Sequence, residues 1–319
     1  MKTDVGIVGA GHNGLVAAIL LAQAGLEVTV FEEREQVGGA AKTEQPFEKV
    51  PGLGHSTGAY LLGLMPPELL EKLDVDIPFI RRDPHYFLPR RRDGYVLFGS
   101  DAEETRRQFI EFFSEDDWQA HLALQAELEN LRDDVAPTWL EEPVSIEETA
   151  DRYVRPDLQQ RFVDLCRNPV GEYLEHFGFA TDLVEAMYGV TDGFTGSFSS
   201  WDEGASGMNF LIHNMCRLPG SKGVWSIVRG GMGTVSGRLA EAARRDGATI
   251  ETNACVASID TDARGVTGVT LTDGSVVHSE VVLVNADPFR MHELVDGDRF
   301  PESYERQLDQ WRRDGTTLK

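Results

Sequence analysis

The hydrophobic pattern at the start of the chain predicts a strand, a helix and a second strand in direct succession. Apolar residues over 5–8 have a strand pattern and run into a glycine-rich turn. Residues 15–22 then repeat apolar side chains at helical spacing, Gly25 provides a stop, and a second apolar strand over 28–31 ends at Glu32. This order predicts a βαβ unit, the building block of an α/β fold with a parallel sheet.

The pattern changes between residues 56 and 225. It predicts a pair of strands around 79–88 and 95–98, followed by mostly helical, acid-rich segments such as 103–113 and 116–131. Residues 173–225 are also rich in aromatic side chains, which either a dense core or an apolar cavity would explain. We interpret residues 56–225 as an inserted α+β domain.

After the inserted region the strand and helix rhythm of the first domain returns. The pattern predicts a helix over 235–243 and a continuous apolar run typical of a buried parallel strand over 281–284. It also predicts shorter strands over 248–252, 255–259, 266–272 and 276–278. The sheet begun by the first residues is therefore resumed late, and we expect one discontinuous domain made of residues 1–55 and 226–319.

A glycine motif between the first strand and the first helix points to a dinucleotide. Gly9, Gly11 and Gly14 form a GxGxxG motif, and Glu32 follows at the end of the second strand. In this arrangement Gly9 permits a tight turn, Gly11 lets the backbone approach a pyrophosphate, and Gly14 allows close contact between helix and strand. Glu32 is placed to accept hydrogen bonds from ribose hydroxyls.

A second motif separates a flavin from a nicotinamide dinucleotide. The sequence EEREQVGGA over 32–40 resembles the ExRxxxGG continuation found in flavoproteins with the glutathione-reductase type of FAD fold. In those proteins the arginine and the paired glycines line the dinucleotide, which here implies Arg34, Gly38 and Gly39. A simple nicotinamide dehydrogenase has no need of this pair, so FAD is the expected cofactor.

Longer stretches allow a family to be named. GAGHNGLVAA, FEEREQVGGAAKTE, GHSTGAYLLGL and VRGGMGTVSGRLA resemble the phytoene-dehydrogenase-like, FAD-dependent oxidoreductases, and within them the pyridine nucleotide-disulphide oxidoreductase domain-containing group. The resemblance implies a Rossmann-like FAD-binding domain of the glutathione-reductase type with an inserted α+β substrate domain. It further implies non-covalent FAD, and hydride transfer to flavin N5 from an apolar, often isoprenoid substrate in a dehydrogenase, desaturase or isomerase reaction.

The resemblance also carries over individual residues. It places the backbone of Val256 at the adenine, and Gly231 in a segment that lies near the flavin. It implies that relatives continue beyond Lys319 with another glycine-rich flavin contact, which this sequence lacks. The electron acceptor is not identified by any motif, and a homodimer is left open.

No catalytic residue is assigned from the sequence. Hydride transfer to a flavin depends on placement more than on proton relays, so it leaves no acid–base signature. His12 lies in the phosphate loop, and His55, Ser56 and Tyr60 follow the second flavin motif. His213 lies in the aromatic-rich segment, where a core position and a ligand contact both stay open. A flavin-fold module without turnover is therefore the alternative to an enzyme.

Charge and composition exclude several classes of partner. The chain has 53 acidic and 30 basic residues and a net charge of −23, which argues against nucleic acids and anionic membranes as partners. An ordinary acidic protein and adaptation to high salt both explain this balance. Metal-ligand spacing is absent. The longest apolar run, residues 15–22, is too short for a membrane span, and the pattern of the first residues leads us to expect no targeting signal.

Three cysteines are present, Cys166, Cys216 and Cys255. They lie far apart in sequence, so neither a dithiol redox pair nor a disulfide framework is expected. This excludes thiol–disulfide exchange as the chemistry and favours a reducing, cytoplasmic location.

Overall fold

The computed structural model describes residues 2–90, 94–190, 200–202, 204, 206–295 and 299–311. Its strands are β1 (Lys2–Val8), β2 (Val28–Phe31), β3 (Thr43–Glu44), β4 (His55–Ser56), β5 (Phe79–Arg81), β6 (Tyr86–Pro89), β7 (Tyr95–Phe98), β8 (Ser226–Val228), β9 (Thr249–Glu251), β10 (Val256–Asp262), β11 (Gly265–Leu271) and β12 (Val276–Val284). Its helices are α1 (His12–Gln23), α2 (Pro67–Leu73), α3 (Ala102–Phe112), α4 (Glu115–Val135), a 3-10 helix (Ala136–Leu140), α5 (Ile146–Tyr153), α6 (Gln159–Arg167), α7 (Val170–Glu175), α8 (Asp182–Tyr188), α9 (Ser206–His213), α10 (Gly233–Arg245), α11 (Pro288–Leu294) and α12 (Glu302–Gln310).

A six-stranded sheet organises the two ends of the chain. Its strand order is β10-β11-β12-β1-β2-β9, with β12, β1, β2 and β9 parallel and the β10–β11–β12 meander antiparallel. Val5 in β1 lies opposite both Val28 in β2 and Val281 in β12. The predicted α/β fold and the late return to the first sheet are therefore confirmed.

The predicted pair of strands is confirmed for the second part of the 79–88 segment and is wrong for its first part. The 79–88 segment is divided into β5 and β6, and only β6 pairs with β7, with Tyr86 opposite Phe98. Strand β5 pairs instead with β8, where Phe79 lies opposite Val228. A pairing partner so distant in sequence leaves no local hydrophobic signal, which is why the pattern predicted a single strand over 79–88.

The expectation of a buried parallel strand over 281–284 is confirmed for the parallel pairing and wrong for the burial. These residues belong to β12 and run parallel to β1 as predicted, but Val281 is 48% exposed and Leu283 is 38% exposed. Successive side chains of a strand point to opposite faces, so the alternate residues Val282 and Val284 pack against the cluster around Phe31. The apolar run therefore indicates the parallel partner correctly but not the burial of both faces.

Two large hydrophobic cores lie in the described residues. One surrounds the sheet and includes Ile7 and Leu15, and the other is built by the helices of the inserted region, with Phe109 and Leu128 fully buried. Leu62, Leu73, Cys216 and Leu218 lie within residues 56–225 but pack with the sheet core. The predicted boundaries stay predictions, and this packing favours junctions nearer residues 78 and 215.

The acidic surface leads to a prediction about salt. Salt screens two opposing interactions. It weakens surface ion pairs such as that of Arg107 with Glu104 and Glu111, which contribute little to stability, and it weakens the repulsion among the excess carboxylates. Because the net charge is −23, relief of repulsion should dominate, and the melting temperature should rise from low to molar KCl. Thermal melts over that range measure this, and a flat or falling midpoint would contradict the high-salt interpretation.

Candidate dinucleotide and substrate sites

A cleft of about 900 Å³ opens at the carboxyl ends of the parallel strands. Ligands of open α/β sheets bind at such ends, where the chain leaves the strands in opposite directions. The cleft lies at the ends of β1, β2 and β12 and is lined, among others, by five of the residues selected from the sequence: Gly9, Gly11, Glu32, Gly39 and Val256. The structure thus brings residues separated by more than 200 positions into one site.

The glycines of the first loop have no room for side chains. Gly9 has a φ of +98°, and a Cβ built on it would lie 2.9 Å from the Asn285 carbonyl oxygen. A Cβ on Gly11 would lie 2.8 Å from Asn285 Nδ2, and one on Gly14 would lie 2.4 Å from the Gly9 carbonyl oxygen. Each contact is shorter than real Cβ atoms allow, so the loop and helix α1 can approach β12 only with glycine at these positions.

The second glycine pair packs directly on the first loop. The Gly38 amide donates to the Ala10 carbonyl at 2.9 Å, and Gly38 forms a parallel bridge with Gly11. Gly39 has a φ of +56°, and its Cβ would lie 3.3 Å from the Gly11 Cα. Gly14 and Gly38 therefore support the loop from behind, whereas Gly39 faces the cleft.

The Glu32 carboxylate is buried at the end of β2 with both oxygens directed at backbone donors. Oε2 accepts a hydrogen bond from the Ala10 amide at 2.9 Å, and Oε1 accepts one from the Arg34 amide at 3.1 Å. A carboxylate can accept about four hydrogen bonds, so it keeps acceptor capacity toward the cleft that it lines. Glu32 thus both fixes the glycine loop and presents acceptors to a ligand.

Two predicted residues lie elsewhere. The Arg34 side chain is exposed and lies 3.5 Å from Glu33, outside the lining of the cleft. Gly231 packs against the short β3–β4 hairpin, where its Cβ would lie 2.4 Å from Thr43 Oγ1. Ser56 of the same hairpin accepts a hydrogen bond from the Met232 amide at 3.0 Å. Gly231 therefore serves the crossing between chain segments, and its proximity to a flavin stays a prediction.

Asn285 is a site residue to which sequence analysis assigned no role. It follows β12 directly, its amide donates to the Val8 carbonyl at 2.8 Å, and its Nδ2 donates to the Gly9 carbonyl at 3.2 Å. It also lines the cleft. The signal was its place immediately after a predicted parallel strand, because β12 is the neighbour of β1 and their carboxyl ends meet.

The other residues considered in the sequence analysis differ in how far they are buried. His12 begins α1, and burial lowers its pKa below the usual range. Tyr60 is 59% exposed. Cys166 and Cys216 are buried in separate cores, and burial raises the pKa of the Cys166 thiol to about 12.

Within the described part of the chain, no three His, Cys, Asp or Glu side chains are grouped to hold a metal, and no helix is long and apolar enough to cross a bilayer.

A second cavity of about 260 Å³ lies in the inserted region. It is enclosed by one face of α4, by the β6–β7 hairpin and by the segment leading into β8, and its aromatic lining includes Phe98, Tyr188 and Trp225. His213 also lines it, with its ring centroid 5.4 Å from that of Trp225.

The aromatic-rich segment supplies both a core and a cavity wall. Tyr173, Tyr188 and Phe210 are buried in the helical core, and Tyr188 reaches the cavity as well. Phe194 and Phe198 lie outside the described residues.

His121 packs among aromatic rings at this cavity. Its ring lies 5.4 Å from Trp118 and 5.0 Å from Phe109, and Nδ1 lies 2.7 Å from the Tyr188 hydroxyl. Burial, with a smaller contribution from His85, lowers the pKa of His121 from 6.5 to about 4. The imidazole is therefore neutral in the folded protein at neutral pH.

This histidine leads to a prediction about acid stability. Between pH 6.5 and about 4 the unfolded chain binds a proton at His121 that the folded chain does not, so the free energy of unfolding should fall as pH is lowered. At about 1.4 kcal/mol per pKa unit the contribution is on the order of 3 kcal/mol across the window. His121→Gln stays neutral and should show a shallower loss between pH 7 and 5 in denaturant titrations. Equal slopes in the two proteins would contradict the assignment.

The chain is similar in sequence to a known family and to several known proteins. The model of the family described as flavin containing amine oxidoreductase matches residues 14–316. The chain is 32% identical over 338 residues to pyridine nucleotide-disulfide oxidoreductase domain-containing protein 2 of Rattus norvegicus, covering 96% of this chain and 57% of that protein. It is 25% identical to 4,4'-diaponeurosporene oxygenase of Staphylococcus aureus, covering 90% of this chain and 56% of that protein.

A solved structure shares the fold. An oxidoreductase from Methanosarcina mazei superposes with a TM-score of 0.66 at 17% identity, covering 98% of this chain and 66% of that one. The chain spans about half the length of the curated relatives it matches. The matches confirm the resemblance inferred from the sequence and the Rossmann-like FAD-binding fold.

Proposed function

The chain belongs to the flavin-containing amine oxidoreductase family, and from that premise we propose that it is an FAD-dependent oxidoreductase acting on an apolar substrate. FAD is the cofactor of this family. The observation that carries the proposal is the cleft itself, in which a side-chain-free loop and a buried carboxylate converge at the carboxyl ends of β1, β2 and β12.

The residues of the cleft fit a flavin dinucleotide. Gly9, Gly11 and Gly14 have no side chains, and their close contacts leave no room for any. The backbone at the start of α1 is therefore accessible, and its amides suit a pyrophosphate. Glu32 would accept hydrogen bonds from the ribose hydroxyls, and Val256 would lie at the adenine. A buried carboxylate held by two backbone amides is pre-oriented, so its further hydrogen bonds lose little freedom on binding.

When bound in the cleft, FAD would supply the redox chemistry as the acceptor of a hydride from a substrate that also gives up a proton, and a second acceptor would reoxidise it. The chain's own residues contribute binding and placement. Residues of the inserted region, including Phe98 and Tyr188, would hold the substrate and exclude water from it. No side chain is assigned as acid or base.

The proposed substrate class rests on two observations. The apolar part of the cavity wall, which includes Phe98, Met187, Tyr188 and Trp225, suits apolar surface. A relative is named for 4,4'-diaponeurosporene, which supports the phytoene-dehydrogenase-like reading and an isoprenoid substrate. The family description names amines, which makes amine oxidation the competing reaction.

The test is anaerobic reduction of the bound flavin. Protein loaded with FAD is mixed with limonene as an isoprenoid alkene or with putrescine as an amine, and bleaching of the flavin absorbance is followed. The proposal predicts bleaching by the alkene and not by the amine. Bleaching by the amine alone would overturn the substrate class, and a bound flavin that neither substrate nor photoreduction can reduce would favour a non-catalytic module.

A further inference from the structure

The cavity of the inserted region is lined by basic side chains without acidic ones. Arg81, Arg82, Arg132 and Lys222 all line it, and no Asp or Glu does so among the described residues. This contrasts with the whole chain, in which acidic residues outnumber basic ones by 53 to 30. The charged side chains that line the cavity are therefore all positive, although the protein as a whole is strongly acidic.

Two buried nitrogen atoms of residues that line this cavity have no hydrogen-bond partner among the described residues. Arg81 Nε and His85 Nδ1 are fully buried and accept or donate no hydrogen bond in the described part of the chain. The buried Arg132 donates Nε to the Asn214 carbonyl at 2.8 Å, and no carboxylate among the described residues pairs with it. Buried polar atoms without a hydrogen-bond partner and buried cations without a counter-charge are costly, so a ligand could provide a partner for Arg81 and His85 and an anion for Arg132.

The placement of these groups follows from the fold. His121, Gln125 and Arg132 are spaced by four and seven residues along α4, so one helix face supplies them. Arg81 and Arg82 arrive at the end of β5, and Arg82 Nε donates to the Trp225 carbonyl at 2.9 Å. With Lys222 from the segment before β8, three separate segments thus place basic groups around the same space.

The histidines add polar groups but little charge. Burial, together with the neighbouring Arg82 and Arg81, lowers the pKa of His85 from 6.5 to about 4. Burial also lowers the pKa of His121 and of His213. At neutral pH the positive charge of the cavity therefore comes from the arginines and Lys222.

We infer that this cavity binds the anionic group, a carboxylate or a phosphate, of a small ligand whose apolar part packs against Phe98, Tyr188 and Trp225. Arginine matches both anions through paired N–H donors. A volume of about 260 Å³ is just below that of drug-sized ligand sites, so it holds a ring with its acid group or one end of a longer molecule. The inference rests on the proposed function where it names the substrate, because it makes the apolar substrate an amphipathic acid.

The cavity is connected to the cofactor domain through the backbone. Trp225 leads directly into β8, and Ser226 exchanges backbone hydrogen bonds with Leu62 at 2.8 and 2.9 Å. Strand β8 then runs to Gly230 and Gly231, where the chain returns to the sheet domain. A ligand in the cavity is thus held by the segment that leads into the FAD-binding part.

Calorimetric titration tests this inference without using turnover. The probes are benzoate, phenyl phosphate and uncharged benzyl alcohol, each added to FAD-loaded and FAD-free protein. We expect benzoate or phenyl phosphate to bind while benzyl alcohol binds at least about tenfold more weakly, since charge-assisted hydrogen bonds are worth about 1.5–3 kcal/mol. The stronger of the two anions identifies the acid group as carboxylate or phosphate.

Variants make the test specific. Arg81→Gln and Lys222→Gln should each weaken anion binding by about tenfold or more, whereas Arg107→Gln on the exposed face of α3 should leave it unchanged. Circular dichroism and melting confirm that each variant is folded, and Lys222 has no ion pair in the described structure whose loss would unfold the protein. Equal binding of benzyl alcohol, or anion binding insensitive to both variants, would overturn the inference.

Failure of the anion-binding inference can be distinguished from failure of the proposed oxidoreductase function. Anion binding with no flavin reduction would overturn the oxidoreductase proposal and leave the site intact. Flavin reduction by an uncharged alkene with no anion binding would do the reverse.

Discussion

Replacing Glu32 with alanine should weaken FAD binding by about ten- to a hundredfold, because hydrogen bonds from ribose hydroxyls to a charged acceptor are worth about 1.5–3 kcal/mol. The same change removes the acceptor of the Ala10 and Arg34 amides. Ala10 is fully buried, so an unsatisfied donor there should also lower the free energy of unfolding by about 1–3 kcal/mol. Quenching of flavin fluorescence measures the affinity, and denaturant titration without FAD measures the stability.

Two variants separate these effects. Glu35→Ala removes a nearby exposed carboxylate that lies outside the lining of the cleft, and it should change neither quantity by more than experimental error. Glu32→Gln keeps an oxygen acceptor of the same shape, so it should retain more stability than alanine while still losing the charge. If Glu32→Ala binds FAD as the unchanged protein does, the placement of the ribose is wrong.

Replacing Gly14 with alanine should have the second large effect. The added Cβ would lie 2.4 Å from the Gly9 carbonyl oxygen and 2.9 Å from Asn285 Nδ2, and the first of these atoms belongs to the backbone. Helix α1 must therefore move away from the loop, at a cost of about 1–3 kcal/mol in stability. Because the loop amides move with it, FAD affinity should fall by about tenfold or more. Thermal melts and flavin fluorescence follow the two losses.

Gly237 provides the matched control. It lies within helix α10, and a Cβ there would meet nothing within 4 Å. Gly237→Ala should therefore raise stability by about 0.5–1 kcal/mol and leave FAD affinity unchanged, because alanine is the better helix former. If Gly14→Ala behaves like Gly237→Ala, the close approach of helix and loop is not needed for the site.

Much of the FAD-binding part could be predicted from sequence because its signals are local. The strand, the glycine loop, helix α1 and Glu32 follow one another within about thirty residues, and each has a physical reason at its own position. The late return of the chain to the sheet could also be predicted, since apolar runs and turns mark strands β9 to β12 in the sequence. The exposure of Val281 was not, because it depends on what covers the sheet rather than on the strand itself.

The features that could not be predicted from the sequence depend on contacts between distant segments of the chain. The pairing of β5 with β8 and the position of Asn285 against Gly9 arise only when the chain is folded. The basic cavity assembles Arg81, Arg132 and Lys222 from separate parts of an acidic sequence, and none of them belongs to a motif. Residue-by-residue patterns predicted helices and aromatic content there, but not which side chains share a space.

The absorbance spectrum of the protein after incubation with FAD and gel filtration tests the central claim most directly. If the cleft at β1, β2 and β12 holds FAD, oxidised flavin bands will elute with the unchanged protein in equimolar amount and will be lost or strongly reduced with Gly14→Ala. Protein that elutes without flavin, or a Gly14→Ala variant that retains it in full, would contradict the account.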